Sequence, residues 1–294
     1  MSARNWLQLL ILSLLWGGSF FFVEVALEGL PVLTIVWFRV ALAALFLALA
    51  LAVTGTRFPR GAAVWGSLFV MGLLNNAVPF TLFASAQWQI SGSFAAILNA
   101  TTPLFTVIVA HLVTTDERAG RAKLAGIMLG FSGVLVMMSA DAPRGAWFAP
   151  ALCLLAALSY GLAGIWGRRF RRLGVAPLAT AFGQVAASSV LLAPVWLIVD
   201  QPWVMVMPTL RVCLAVVGIA ALSTALAYLI YFRLLASAGA TNLSLVTFLI
   251  PVSATLLGVV FLQENLLPRH LAGFGLISMG LVAIDGRLLR WRVA

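Results

Sequence analysis

Arg39 stands inside a long apolar run, VLTIVWFRVALAALFLALAL, that contains no acidic residue. In hydrocarbon an arginine near mid-depth costs about 2.5–3.5 kcal/mol on insertion scales, so its position calls for a reason. It can pair with an acid, reach toward the interface, or meet the carboxylate of a transported solute. Glu24, in LLWGGSFFFVEVAL, is the acidic residue placed similarly far from any polar gap. The two are read together, as an ion pair or as a proton-coupling and carboxylate-contact set. Amides form a second group: Asn75 and Asn76, then Asn99 with Thr101 and Thr102. An amide offers donor and acceptor together, which suits the ammonium and carboxylate of a zwitterion. Asn76, Phe80, Phe83 and Gln87 recur at helical spacing and share one face. In the second half of the chain Ser223, Thr224, Asn242, Thr247 and Ser253 are the corresponding polar positions. The structural alternative for each is a hydrogen bond between helices.

The aromatic residues in the same segments are Trp16 and Phe20, with Ser19 beside them, then Phe80 and Phe83. Tyr160, Trp166, Tyr228 and Tyr231 follow in the second half. Aromatic walls stack planar side chains and attract cations, or simply pack. Trp65, Trp88, Trp147 and Trp203 fall near segment ends and read as interfacial anchors.

Other chemistries find little support. No H-E-x-x-H or G-x-S-x-G is present, and Gly273-Phe274-Gly275 lacks the strand and third glycine of a dinucleotide loop. His111 and His270 are the two histidines and fall near opposite faces, so no metal site is expected, and no cofactor. Cys153 and Cys213 lie in apolar segments and read as inert thiols. A channel would need a filter loop or a ring of like charge, which the sequence lacks.

The elements that must position these residues are membrane spans. The chain has 294 residues, of which 63% are hydrophobic and 9% charged, with mean hydropathy +1.10. A soluble domain carries about 25% charged residues, so lipid must cover much of this surface. A span needs roughly 20 mostly apolar residues. Ten segments qualify: 6–27, 31–53, 62–86, 93–114, 122–139, 147–167, 176–199, 208–232, 241–262 and 269–286. Barrel strands are excluded because the segments are continuously apolar rather than alternating. The first segment is too long for a signal-peptide core and ends in no A-x-A-like site.

The net charge of +10 does not point to nucleic acid, because the basic residues sit in short gaps between spans. With the N-terminus inside, one side collects Arg4, Arg57, Arg60, Arg118, Arg121, Lys123, Arg168, Arg169, Arg171, Arg172, Arg233, Arg287, Arg290 and Arg292. The other side has only Arg144, Arg211 and Arg269. This asymmetry places both termini in the cytoplasm.

The chain also repeats. PLFTVIVAHLVTTDERAGRAKLAGIMLGFSGVLV from Pro103 aligns with PVSATLLGVVFLQENLLPRHLAGFGLISMGLVA from Pro251, with a one-residue gap. Glu117 meets Glu264, Gly126 meets Gly273, and Gly133 meets Gly280. Upstream, Trp16-Gly17 lies on Tyr160-Gly161, and Phe80 and Phe83 lie on Tyr228 and Tyr231. The halves are residues 1–141 and 142–294. Five spans is an odd number, so the second half enters from the opposite side. The fold class expected is an all-α integral membrane protein of ten transmembrane helices in a 5+5 inverted-topology repeat, the plan of many secondary transporters.

The first-span LLWGGSFFFVEVAL, the second-span FRVALAALFLALAL and the paired Pro…Glu…Leu-Ala-Gly…Gly blocks resemble the EamA family of the drug/metabolite transporter superfamily, over essentially the whole chain. The chain is most similar to the amino-acid exporter branch, aromatic amino-acid exporters of the YddG type included. The resemblance implies a central cavity lined by spans 1, 3, 4, 6, 8 and 9, an inner membrane of bacterial type, and export of amino acids, metabolites or drugs. The solute partner is then an amino acid or related metabolite. The alternative is a multidrug or cationic-compound exporter of the same fold. Glu24 stands where many relatives carry a basic residue. Pro79, Pro103, Pro194 and Pro251 break helical hydrogen bonds and are hinge candidates. The small-residue pair Gly126 and Gly130 reads as close helix packing, with a dimer contact as the lesser alternative. The oligomeric state stays open.

Overall fold

A computed structural model of the chain describes residues 2–113, 120–137, 147–243 and 245–285. Glu117, Arg118, Pro143, Arg144, Arg287, Arg290, Arg292 and the boundary between the halves at 141 lie outside the described residues. Helices and short connections make up the described residues, with no strand among them.

Among the described residues seven helices are long and apolar enough to cross a membrane: α1 (Ala3–Leu27), α2 (Val32–Thr54), α3 (Ala62–Ala86), α4 (Gly92–Val113), α6 (Phe148–Arg172), α7 (Pro177–Val199) and α8 (Leu210–Gly239). Three further apolar helices are shorter in the described residues: α5 (Arg121–Met137), α9 (Val246–Leu262) and α10 (Pro268–Asp285). These correspond to expected spans 5, 9 and 10. Expected span 8 runs longer than its sequence signal, reaching Gly239, whose φ of 78° kinks the chain there.

Local chemistry sets the ends. Ser2 Oγ accepts from Asn5 N at 3.2 Å to start α1. Pro177 stands at the first position of α7, where its missing N–H costs nothing. The helix starting at Val32 has no side-chain cap of its own. Asp200, just past α7, supplies one: its Oδ2 accepts from Thr34 N and from Thr34 Oγ1, both at 2.7 Å. Trp196 Nε1 donates to the same Thr34 Oγ1 at 3.0 Å, and the Trp196 ring stacks on Trp37 at 3.9 Å. The end of α7 and the start of α2 are thereby pinned.

Helices pair α1 with α9 and α4 with α6, α3 with α6 and α1 with α8, α2 with α7, and α5 with α10. Close approach depends on missing side chains. A Cβ on Gly17 would fall 2.7 Å from Ala254 N, and one on Gly161 would fall 3.1 Å from Thr106 N. At the α5–α10 contact, a Cβ on Gly126 would meet Gly280 O at 2.7 Å and one on Gly133 would meet Gly273 O at 2.5 Å. Gly126 and Gly280 therefore pack α5 on α10 within one chain, as the helix-packing reading expects.

Two buried apolar clusters flank the centre. One joins Leu9 and Leu12 of α1 to Phe94–Leu98, Cys153, Leu234 and Ile250. The other joins Ile35, Val40 and Leu47 of α2 to Phe80, Val185 and Ile219. Large apolar side chains on the outside are exposed, among them Leu45, Leu49, Val190, Ile198, Leu256 and Val260. Water does not tolerate such a continuous apolar belt, and lipid does.

Candidate functional site

Three departures from regular α-helix surround the centre. In α3, residues Leu73–Ala77 form a π-helical turn. In α8, Ile219–Leu226 do the same. In α4 the helix breaks at Ala100 and Thr101, between Gly92–Asn99 and Thr102–Val113. A π turn shifts the register by one residue and re-aims side chains, and it recurs at functional sites. The two π turns carry Asn75-Asn76 and Ser223-Thr224. These are matching positions in the alignment that lays Phe80 and Phe83 on Tyr228 and Tyr231.

Between them lies a cavity of ≈ 510 Å³. Trp16, Ser19, Phe20, Phe80, Phe83, Asn99, Thr102, Tyr160, Tyr228, Tyr231 and Thr247 all line it, and so does Arg39. With Asn75, Gln87, Ser223 and Thr224, sixteen of the residues singled out from the sequence thus converge on one space. Its aromatic wall runs through Phe20 against Phe83 at 5.5 Å and Phe83 against Tyr160 at 6.1 Å. Opposite, Trp16 meets Tyr231 at 5.6 Å.

Arg39 is the one charged side chain among the described lining residues. It is 8% exposed. Its Nε donates to Thr224 Oγ1 at 3.1 Å, and its guanidinium carbon sits 3.5 Å over the Phe80 ring. No acid pairs with it among the described residues. The expected Arg39–Glu24 pair does not form: Glu24 turns away and accepts from Gly92 N at 2.9 Å. The physical reason is that the open start of α4 offers Glu24 unsatisfied N–H groups close by.

A polar network backs the arginine. Asn75 Nδ2 donates to Gln184 Oε1 at 2.9 Å and to Tyr228 Oη at 3.3 Å. Asn76 Nδ2 donates to the same Tyr228 Oη at 3.2 Å. The Tyr228 hydroxyl therefore accepts twice, which leaves its own O–H to donate toward the cavity. The hydroxyls of Tyr160 and Tyr231 have no hydrogen-bond partner among the described residues. Asn99 Oδ1 accepts from Thr102 Oγ1 at 3.1 Å across the break in α4.

Six sequence candidates fall outside the lining, two of them, Thr101 and Ser253, bonding instead to the nearby backbone carbonyls of Leu98 and Leu249 at 2.7 Å each. Asn76 is fully buried behind Tyr228, and Asn75 takes the lining position, because the π turn rotates the pair. Trp166 donates its Nε1 to Ser67 O at 3.0 Å and carries Arg169 over its ring at 3.5 Å, a packing role. Asn242 donates to Ala238 O at 2.9 Å on its own helix. Glu24 caps α4. Of the hinge candidates, Pro79 follows the α3 π turn and Pro103 follows the α4 break, while Pro194 and Pro251 sit inside continuous helices. Thr180 and Gln184 of α7 line the cavity and were not singled out from the sequence. A glutamine amid an apolar 23-residue helix is itself the signal that could have found the second of them.

The profile of the EamA-like transporter family matches residues 5–139 and again residues 147–284. The chain belongs to this family. As an EamA-like transporter of the drug/metabolite transporter superfamily, it is a membrane protein that moves solutes. It is similar to the uncharacterized inner membrane transporter YedA of Escherichia coli K12, 25% identical over 94% of this chain and 89% of that one. It is also similar to protein PecM of Dickeya dadantii, 27% identical over 92% and 88%. An uncharacterized transporter of Archaeoglobus fulgidus is 22% identical over 96% of this EamA-like chain and 98% of its own length. A solved crystal structure shares the fold with TM-score 0.69 at 19% identity, covering 98% of this chain and 99% of that one.

Proposed function

We propose that this EamA-like transporter exports small carboxylate-bearing metabolites, amino acids with large neutral or aromatic side chains foremost, by alternating access around the central cavity. The observation that carries the reading is Arg39, a buried cation without an acidic partner among the described residues, facing a cavity walled by aromatic rings. A carboxylate would complete its charge and its unused N–H donors. Tyr160 and Tyr228 offer hydroxyl donors beside it, and Asn75 offers an amide oxygen for an ammonium. Phe20, Phe83 and Trp16 would hold the side chain by stacking. A lone positive charge in the lining disfavours cationic compounds, which weighs against the multidrug alternative.

The ten-helix, 5+5 inverted arrangement is part of the proposal. It is supported by helix pairings that map onto themselves when each helix is exchanged for the one five places later: α1–α9 becomes α6–α4, and α3–α6 becomes α8–α1. The glycine contacts obey the same exchange, since Gly17 on Ala254 corresponds to Gly161 on Thr106. The halves 1–141 and 142–294, both cytoplasmic termini and location in an inner membrane follow from that arrangement with the charge asymmetry.

Counterflow in proteoliposomes tests the reading. Labelled phenylalanine, tyrosine and leucine should enter faster when unlabelled substrate is trapped inside, and the flux should saturate. Flux without trans-stimulation would indicate a channel. Absence of flux for every amino acid, with flux of cationic dyes, would overturn the proposal.

A further inference from the structure

Two carboxyl groups far apart in sequence end on one helix start. Glu24 Oε2 accepts from Gly92 N at 2.9 Å. Glu264, in the α9–α10 connection, accepts from Ser93 N, Oε2 at 3.1 Å and Oε1 at 3.4 Å. The two carboxyl groups thus accept from successive amides and sit side by side at the head of α4. Ser91 Oγ takes the next amide, Phe94 N, at 3.3 Å. Room for this arrangement is built in. A Cβ on Gly92 would fall 2.9 Å from Glu24 Oε2, and one on Gly258 would fall 2.5 Å from the Glu264 carboxyl carbon.

A second observation points to what the pair binds. Gln87, 7% exposed, lines the cavity. Its Nε2 donates to Phe20 O at 2.9 Å, while its buried Oε1 has no donor. That amide lies beside Glu24: the Cβ position on Gly92 that is 2.9 Å from Glu24 Oε2 is 3.1 Å from Gln87 Nε2. Two carboxylates side by side in a buried corner repel one another, and one proton held between them relieves this. A protonated carboxyl also supplies the O–H donor that this buried corner lacks.

We propose that Glu24 and Glu264 together bind one proton at the head of α4, and that losing it opens this end of the cavity. With the proton in place, only one of the two carboxyl groups is charged, the protonated one brings an O–H to the corner where Gln87 Oε1 lacks a donor, and both hold α4 against α1 and the α9–α10 connection. When the proton leaves to water, two anions face each other, and the end where Phe20, Phe83 and Gln87 meet separates. The proton returns from water when the gate closes. Among the described residues the other charged groups at this end are Glu28, paired with Arg211 at 3.1 Å, Asp200, bonded to Thr34, and Arg269 and His270 at the start of α10. His270 stacks on Phe94 at 4.2 Å.

The flux test rests on the transport reading above; an infrared test does not. In counterflow at equal pH on both faces, wild-type flux should rise about tenfold per pH unit on the acid limb, the slope of one proton. Glu24→Gln and Glu264→Gln keep an acceptor for the α4 amides and should each flatten that limb. A slope that survives in either variant, or that disappears only in His270→Gln, overturns the proposal. In substrate-free reconstituted protein, infrared difference spectra across the same pH range should show one protonated-carboxyl C=O band that titrates and is lost in both glutamine variants. Its absence from the wild type, or its persistence in both variants, overturns the proposal whether or not any amino acid is transported.

Discussion

The guanidinium of Arg39 lies 3.5 Å over the ring of Phe80, on the helix opposite. The ring shields one face of the cation and offers only a weak quadrupole in exchange. The other face, and the N–H groups not used by Thr224, look into the cavity. Arg39→Gln should leave insertion and folding intact, because no acidic partner among the described residues would be orphaned. It should cost the charged hydrogen bond to substrate, about 1.5–3 kcal/mol, or roughly 10- to 150-fold in apparent affinity. Proteoliposome counterflow over a range of substrate concentrations measures this. An unchanged half-saturation concentration would remove Arg39 from recognition.

Tyr228 accepts from both Asn75 and Asn76. Tyr228→Phe removes that acceptor. Asn75 keeps Gln184, but buried Asn76 loses the partner of its amide nitrogen. The cost should be about 1–3 kcal/mol, the usual penalty for a buried group left unpaired. Replacing Asn76 by Leu in the same background should recover part of it, since removing both partners is close to neutral. Thermal unfolding in detergent of the two single variants and the double variant gives the coupling. Strictly additive losses would mean that the hydroxyl and the amide do not interact.

Much of this site was readable because polar and charged groups are conspicuous in apolar helices. Arg39 and Asn99 announce themselves against leucine and alanine, and the aromatic positions stand out through the repeat. Other features leave little trace. The π turns in α3 and α8 depend on a hydrogen-bond shift with no composition signal, so Asn75 and Asn76 exchange places relative to the helical-face reading. Arg39 and Thr224 are 185 positions apart, and Ser93 and Glu264 are 171 apart. Such contacts follow from packing, which spacing along one helix cannot supply. Gln184 stands on α7, a helix outside the cavity set that the family resemblance implies, and only packing brings it to the lining.

Glycine contacts make a separate stability prediction. Gly17→Ala places a Cβ 2.7 Å from a backbone nitrogen of α9. Backbone cannot swing aside as a side chain can, so α1 and α9 must separate, at about 1–3 kcal/mol. Gly66 lies in α3 with nothing within 4 Å of its added Cβ. Gly66→Ala should be neutral or stabilising, by up to about 1 kcal/mol, because alanine loses less entropy on entering a helix. Melting temperatures in one detergent compare the two directly. Equal shifts would deny that the α1–α9 approach is limited by the missing side chain.

Asp200 offers the sharpest test of how α7 holds α2. Its carboxylate accepts from Thr34 N and Thr34 Oγ1 at the start of a helix that lacks any cap of its own. Asp200→Ala should destabilise by about 1–2 kcal/mol, the range for losing a helix cap. Asp200→Asn keeps an acceptor oxygen but loses the charge that favours a helix N-terminus, and should lose only part of that. The stack of Trp37 on Trp196 remains in both variants, so the contact itself should persist and the loss should track the cap alone. Hydrogen exchange at the first turn of α2 reads this locally. Protection of Thr34 N should fall in Asp200→Ala and fall less in Asp200→Asn. If both variants exchange like the wild type, the aromatic stack rather than the carboxylate fixes this end of α2.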